Sequence, residues 1–298
     1  MPIRLLSLPT ADLQYTLHCM GTCELIAFSL CSKRTKTLSK SLNRKIGQPS
    51  VIVYENCIRF YILIGQSIKA YEYIPLEIFD SCIKLRGHLT GVWKRQEFTQ
   101  SDWFAHILDI FNESIIQKLL IENTTPSFLD TLKRLNPKCR LLVINAYCST
   151  KLPKIGFWKL FSNAEQVDIY INVLDKRNDI SQCLSRNLKT VRFRDSRSSI
   201  GLVASDLLMN NIIYLTIDNA IITEKELIRF VKLWMKGNHR FYRPKLIELF
   251  FENAKTREEV LRGIKYQTVD NKHLLKRADG KEMLLSISSR SVIFEFRG

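Results

Sequence analysis

Residues 215–237 read Leu215-Thr216-Ile217-Asp218-Asn219-Ala220-Ile221-Ile222, then Thr223-Glu224-Lys225-Glu226-Leu227-Ile228-Arg229-Phe230-Val231-Lys232-Leu233-Trp234-Met235-Lys236-Gly237. Two periodicities meet here. Leu215 and Ile217 alternate with polar neighbours, the period of a strand with one buried face. After Thr223 the period lengthens, and Leu227, Phe230, Val231, Trp234 and Met235 share one face of a helix. Thr223 with Glu226 reads as a capping box, and Gly237 as the stop. The stretch therefore predicts one strand followed by one helix.

That unit recurs. Apolar-x-apolar-x-Asn/Asp appears as Leu119-x-Ile121-x-Asn123, Leu141-x-Val143-x-Asn145, Val191-x-Phe193-x-Asp195 and Leu249-x-Phe251-x-Asn253. Val167-x-Ile169-x-Ile171 keeps the apolar part only. Helical faces fill the gaps: Trp103, Phe104, Ile107, Leu108 and Phe111; Phe128, Leu129, Leu132 and Leu135 after Pro126; Phe157, Leu160 and Phe161 after Pro153. A second capping box, Thr256 with Glu259, starts a last helix. Strand plus helix at this spacing is the period of leucine-rich repeats. The Asn or Asp falls two residues after the second apolar residue instead of three, which argues against an asparagine ladder of the usual geometry. A generic α/β sandwich is the alternative. The horseshoe-like parallel β/α arrangement is preferred, because short right-handed crossovers at a constant period stack.

Upstream, Val51 to Tyr54, Ile58 to Ile64 and Ile68 to Tyr73 are β-branched and aromatic runs that predict an antiparallel meander. Downstream, Leu284 to Ser288 and Val292 to Phe296 flank Ser289-Arg290-Ser291, a hairpin placed to cap the open end of the repeats. The fold class is thus α/β: three short helices, a β meander, a leucine-rich-repeat-like parallel β/α body and a C-terminal hairpin.

The first 45 residues carry the three helices. Leu13, Leu17 and Met20 recur on one face, Gly21 reads as a positive-φ stop, Thr22 as the cap of a second helix, and Leu38 with Leu42 as a third. So little apolar area is not stable alone and must dock, on this chain or on a partner. Leu5-Leu6-Ser7-Leu8-Pro9, Leu13, Leu17, Met20, Glu24-Leu25-Ile26 and Phe28-Ser29-Leu30-Cys31-Ser32-Lys33 together resemble an F-box of the nematode type. The resemblance implies docking on the Skp-type adaptor of a cullin–RING ubiquitin ligase. The matching surface positions are Leu8, Pro9, Leu13, Leu17, Met20, Leu25, Ile26, Ser29 and Leu30.

A second resemblance covers residues 100 to 298. Asp102-Trp103 with His106 to Phe111, Ile222-Thr223 with Glu226-Leu227, Phe230 and Lys232 to Gly237, Glu259-Val260-Leu261 with Gly263 to Gln267, and Asp279-Gly280 are similar to the type 2 F-box-associated domain. In that family the domain is taken to recruit the target. The division that follows is 1–44 F-box, 45–95 β-rich connector and 96–298 F-box-associated body.

Composition agrees with a folded chain: 298 residues, 46% hydrophobic, 25% charged. The net charge of +16 admits an acidic partner without naming one. No run approaches the ~18 apolar residues of a membrane span, and Arg4 to Pro9 is too short for a signal-peptide core. The eight cysteines form no Cys-x-x-Cys pair and the His are scattered, so neither metal nor cofactor is expected. Cys19 and Cys23 read as buried reduced thiols, and the compartment as cytoplasm, nucleus or both.

No nucleophile, phosphate loop or metalloprotease motif appears, so a non-enzyme is expected. His106, among Trp, Phe and Ile, reads as a structurally satisfied histidine. The rival function is nucleic-acid binding by Arg229, Lys232, Lys236, Arg240, Arg243 and Lys245, with Phe241 and Tyr242 to stack bases and the N-terminal helices as a mere cap. The same basic surface would also suit an acidic protein target.

Overall fold

Short helices need their ends satisfied and their stripe covered, and the N-terminal segment shows both. In the computed structural model, residues 5–54, 56–66, 71–85, 91–122, 138–145, 160–170, 177–195, 197–237 and 242–297 are described. A 3-10 turn, Leu5–Ser7, leads into α1 (Thr10–Cys19), α2 (Thr22–Ser29) and α3 (Lys33–Ser41). Gly21 is not a left-handed stop. Its φ of −65° makes it the extended cap of α2, with Thr22 inside the first turn. The Glu24 carboxylate accepts the Gly21 N–H at 2.7 Å, so the cap residue is tied back to the first turn while no cap side chain accepts from it. Ser32 caps α3 by accepting the Thr35 N–H. Cys19 is exposed and Cys23 half-buried, which corrects the expectation that both are buried.

The described residues form two compact units: those up to 120 with 138–140, and 121–122 with those from 141 onward. In the first, the expected meander is five strands: β1 (Gly47–Val53), β2 (Ile58–Gln66), β3 (Tyr71–Phe79), β4 (Cys82–Leu85) and β5 (Gly91–Lys94). They pair antiparallel in succession, from Val53 opposite Ile58 to Leu85 opposite Gly91. Then comes α4 (Gln100–Ile110), capped by Thr99 and Asp102, and β6 (Ile115–Ile121) beside β1. Trp103, Phe104, Ile107 and Ile110 are buried, and the Phe104 ring meets Phe60 of β2 edge-on at 5.6 Å. The helix assigned by sequence to the downstream body is thus part of the N-terminal unit.

The second unit is a mixed sheet. Its elements are β7 (Lys138–Ile144), β8 (Ala164–Ile169), α5 (Arg177–Leu184), β9 (Thr190–Phe193), β10 (Ile200–Gly201), α6 (Ala204–Leu208), β11 (Tyr214–Ile217), β12 (Ala220–Ile221), α7 (Glu224–Met235), β13 (Leu246–Phe250), α8 (Arg257–Val260), β14 (Gln267–Val269), β15 (Lys272–Lys276), β16 (Glu282–Ser288) and β17 (Ser291–Arg297). Strands β8, β9, β11 and β13 are parallel and in step, so Val167, Val191, Leu215 and Ile247 stand in one fully buried row. The frame at β13 is therefore Ile247-x-Leu249, not Leu249-x-Phe251. A slip of two residues keeps every side chain on its face, so alternation alone does not fix it. Beyond β13 the direction reverses: β17, β16, β15 and β14 follow antiparallel. The hairpin turn is Ser289-Arg290 alone, and β17 lies directly against β13.

The chain is a mixed α/β protein, helical at its N-terminus and mostly β-sheet after it. No helix among the described residues is long and apolar enough to cross a membrane. Of the helices expected at Phe128–Leu135 and Phe157–Phe161, only Leu160 and Phe161 lie within the described residues, and both are buried.

The α7 helix is the anchor of the second unit. Gly237 ends it at φ +73°, as the sequence indicated. The Thr223 hydroxyl accepts the Glu226 N–H, but the Glu226 carboxylate reaches away to the Ala204 N–H, so the box is half-made and the other half ties α7 to α6. Phe230 packs edge-on against Phe294 of β17 at 5.2 Å and is fully buried. Phe230→Ala should lower the unfolding free energy by about 3–5 kcal/mol, read as a shifted urea midpoint.

Candidate functional site

The nine residues singled out on the N-terminal helices separate by burial. Leu13, Leu17, Leu25, Ile26, Ser29 and Leu30 are buried within the chain, so in this structure they hold the helices together. Leu8 and Met20 are half-buried and Pro9 is exposed. Leu6 and Tyr15, the latter 73% exposed, are further exposed apolar side chains of this segment, and neither was among the nine. The signal for Tyr15 was present: it sits off the stripe of Leu13 and Leu17, where an aromatic has no internal use.

The next helix, α4, packs against α2 and α3. The Ser29 hydroxyl, which donates to the Ile26 carbonyl at 2.6 Å, lies 2.8 Å from the His106 Nε2. Lys36 and Lys40 of α3 both reach Asp109, at 2.8 and 2.6 Å, and hold its carboxyl below the usual carboxylate range. The Lys45 ammonium donates to the Asn112 carbonyl, Asn112 donates to the Lys40 carbonyl, and Arg95 donates to the Leu30 carbonyl. The exposed ion pairs are worth only about 0.2–1 kcal/mol each. Their geometry nevertheless fixes α3 on α4.

The basic surface also divides. Arg229, Lys232 and Lys236 lie on the solvent side of α7, joined by Lys225 and, from the turn after α8, Lys265. With Ile228, Leu233, Met235, Gly263 and Ile264 they line a groove of about 530 Å³. Arg243 is drawn away and donates to the Asn211 carbonyl at 3.0 Å, while Lys245 opens β13; neither lines the groove. Arg240 and Phe241 fall outside the described residues. Tyr242 does not offer its ring to a base. Its hydroxyl donates to the Leu207 carbonyl at 2.6 Å, its ring packs 4.9 Å from Phe296, and burial pushes its pKa well up. Lys225 was legible in the sequence, since 225, 229, 232 and 236 repeat at i, i+4, i+7 and i+11 on one helix face. Lys265 was not, because only folding brings its turn beside α7.

Among the described residues no group of three or more His, Cys, Asp or Glu is placed to hold a metal.

Residues 5–47, the helices and their exit into β1, match the F-box domain, and residues 179–241 match a domain described as F-box associated. The chain carries an F-box and an F-box-associated segment. Both are binding modules and not catalytic ones. Over 279 residues the chain is 22% identical to the F-box associated domain-containing protein sdz-33 of Caenorhabditis elegans, an alignment that covers 91% of this chain and 85% of that protein. No solved structure matches the chain. The F-box-associated match contains α6, α7 and all but the first two residues of α5, and so most of the basic groove; the blocks at 102–111 and 259–280 lie outside the matched residues.

In the N-terminal unit, His106 couples stability to pH in the mildly acidic range. Burial pushes its pKa down to about 4, helped by Lys36 and Arg95 and opposed by Asp109. Above the ordinary value of 6.5 the imidazole is neutral folded or unfolded. Between 6.5 and about 4 the unfolded chain binds a proton that the folded chain refuses, so stability falls as pH falls through that window. A His106→Gln variant should show a shallower loss of urea midpoint between pH 6.5 and pH 5 than the parent chain. Equal slopes in both proteins would contradict this assignment.

Proposed function

We propose that the chain is the substrate-recruiting subunit of a cullin–RING ubiquitin ligase: the F-box docks on a Skp-type adaptor, and the F-box-associated body holds a protein target. The observation that carries this is the presence of both domains in one chain, in that order. Ubiquitin transfer falls to other subunits, and this chain contributes proximity and orientation. The proposed division keeps the F-box at 1–44 and the connector at 45–95. In the body from 96, the in-step parallel strands with α5, α6 and α7 between them support reading that part as a loose leucine-rich-repeat-like array. The exposed thiols of Cys19 and Cys31 favour a reducing compartment, cytoplasm or nucleus.

We place the adaptor contact on the accessible members of the predicted set, Leu8, Pro9 and Met20, extended by Leu6 and Tyr15. An apolar patch of this kind supplies the desolvated centre a docking surface needs. Leu13, Leu17, Leu25, Ile26, Ser29 and Leu30 support it from beneath.

The test is capture by purified adaptor of the full chain and of Leu8→Ala with Pro9→Ala. Neither residue is fully buried, so circular dichroism and the melting midpoint should stay close to the parent's, while capture weakens by about tenfold or more. Unchanged capture removes the assignment. Deleting residues 1–44 is a poorer test, because it strips the cover from His106 and Asp109 on α4.

A further inference from the structure

We propose that the groove between α7 and the turn at Gly263–Lys265 is the target-binding site of the body, and that it takes an acidic segment of a protein anchored by an aliphatic side chain. This rests on the substrate-recruiting reading and narrows it to a site and a chemistry.

Charge is the first argument. Lys225, Arg229, Lys232, Lys236 and Lys265 converge on one concave surface, and among the described residues no acid lines it. The acids nearest in sequence are engaged elsewhere: Glu224 with Lys255, and Glu226 with the Ala204 N–H and, at 3.5 Å, with Arg229. Lys225, Lys232, Lys236 and Lys265 make no ion pair within 4 Å among the described residues. Four unpaired lysines beside a partly paired arginine destabilise the free chain, a cost that an acidic partner relieves.

Shape and polarity are the second. Between the cations the lining is aliphatic: Ile228, Leu233 and Met235 are half-buried on α7, where a solvated helix face would carry polar residues, and Ile264 forms the facing wall. That wall depends on Gly263, whose φ of +68° turns the chain so that the Ile264 and Lys265 side chains border the groove. From Lys225 to Lys236 the helix runs about 16 Å, the length of about five residues of extended chain.

The chemistry of the lining chooses among anions. Single-stranded nucleic acid is held by aromatic rings on which bases stack. Among the described residues no aromatic lines the groove, and Tyr242 is packed inside the unit. Four of the five cations are lysines, point charges suited to clustered carboxylates more than to the bidentate grip that arginine gives phosphate. Asp and Glu beside a Leu or Ile satisfy both features of the groove at once.

The experiment is fluorescence anisotropy of the full chain with a labelled peptide of about ten residues, Asp and Glu throughout with two central Leu. Saturable binding is expected. It should weaken as salt is raised from roughly 50 to 300 mM. Replacing the peptide's acids by Asn and Gln, or its Leu by Ser, should weaken it further. Lys232→Gln, Lys236→Gln and Lys265→Gln together, all three exposed and outside the packed face of the fold, should raise the dissociation constant about tenfold. Absence of saturable binding overturns the proposal. So does an unaltered constant in the triple variant, or tighter binding of a single-stranded RNA that displaces the peptide. Adaptor capture is measured on the same samples. A chain that captures adaptor but ignores the peptide sinks the groove alone, whereas one that binds the peptide without capturing adaptor sinks the ligase reading alone.

Discussion

An apolar stripe can be buried only once. The leucines of α1 and α2 are covered inside the chain, with α4 supplying Ser29's partner His106 and the carboxylate that holds Lys36 and Lys40. From that constraint follows the rest of the N-terminal unit. The α4 helix lies in the first compact unit, with the three N-terminal helices it packs against. Left accessible outside the stripe are Leu6, Leu8, Pro9, Tyr15 and Met20. The F-box pattern in the sequence mixes the two sets, since residues that build the module and residues that present it share one spacing.

The second unit obeys a different rule. Its parallel strands keep a constant step, with Val167, Val191, Leu215 and Ile247 abreast, and each helix returns the chain to begin the next strand. The antiparallel strands from β14 to β17 end that progression by pairing β17 with β13. The α7 helix is held from two sides, by Phe230 on Phe294 and by Glu226 on the Ala204 N–H. A helix fixed in this way can carry uncompensated charge on its outer face without moving.

Much of this was legible in residue order. Period-2 and period-3.6 patterns located β8, β9, β11, α4 and α7, and Gly237 marked the end of α7 because a helix stop at positive φ is a local property. Three things were not. Gly21 was misread because a glycine after a helix is equally good as the extended cap of the next one. The frame at β13 slipped by two residues, which alternation does not penalise. Which of the nine F-box residues are buried depends on packing between helices, and for Ser29 on His106 of α4, far along the chain. The same reason hid Lys265, whereas Lys225 was visible on the helix face and only the choice of window excluded it.

The far edge of the second sheet has a consequence of its own. There β14 is three residues long, fully solvent-facing, and followed by a tight turn with both Asp270 and Asn271 at positive φ. A sheet edge is a template on which stray strands can grow, and length and flatness make it dangerous. So short an edge, beside a β15 that carries Lys272 and Lys276, offers few backbone groups for another chain to pair with. Growth of a further strand on that edge is thereby disfavoured.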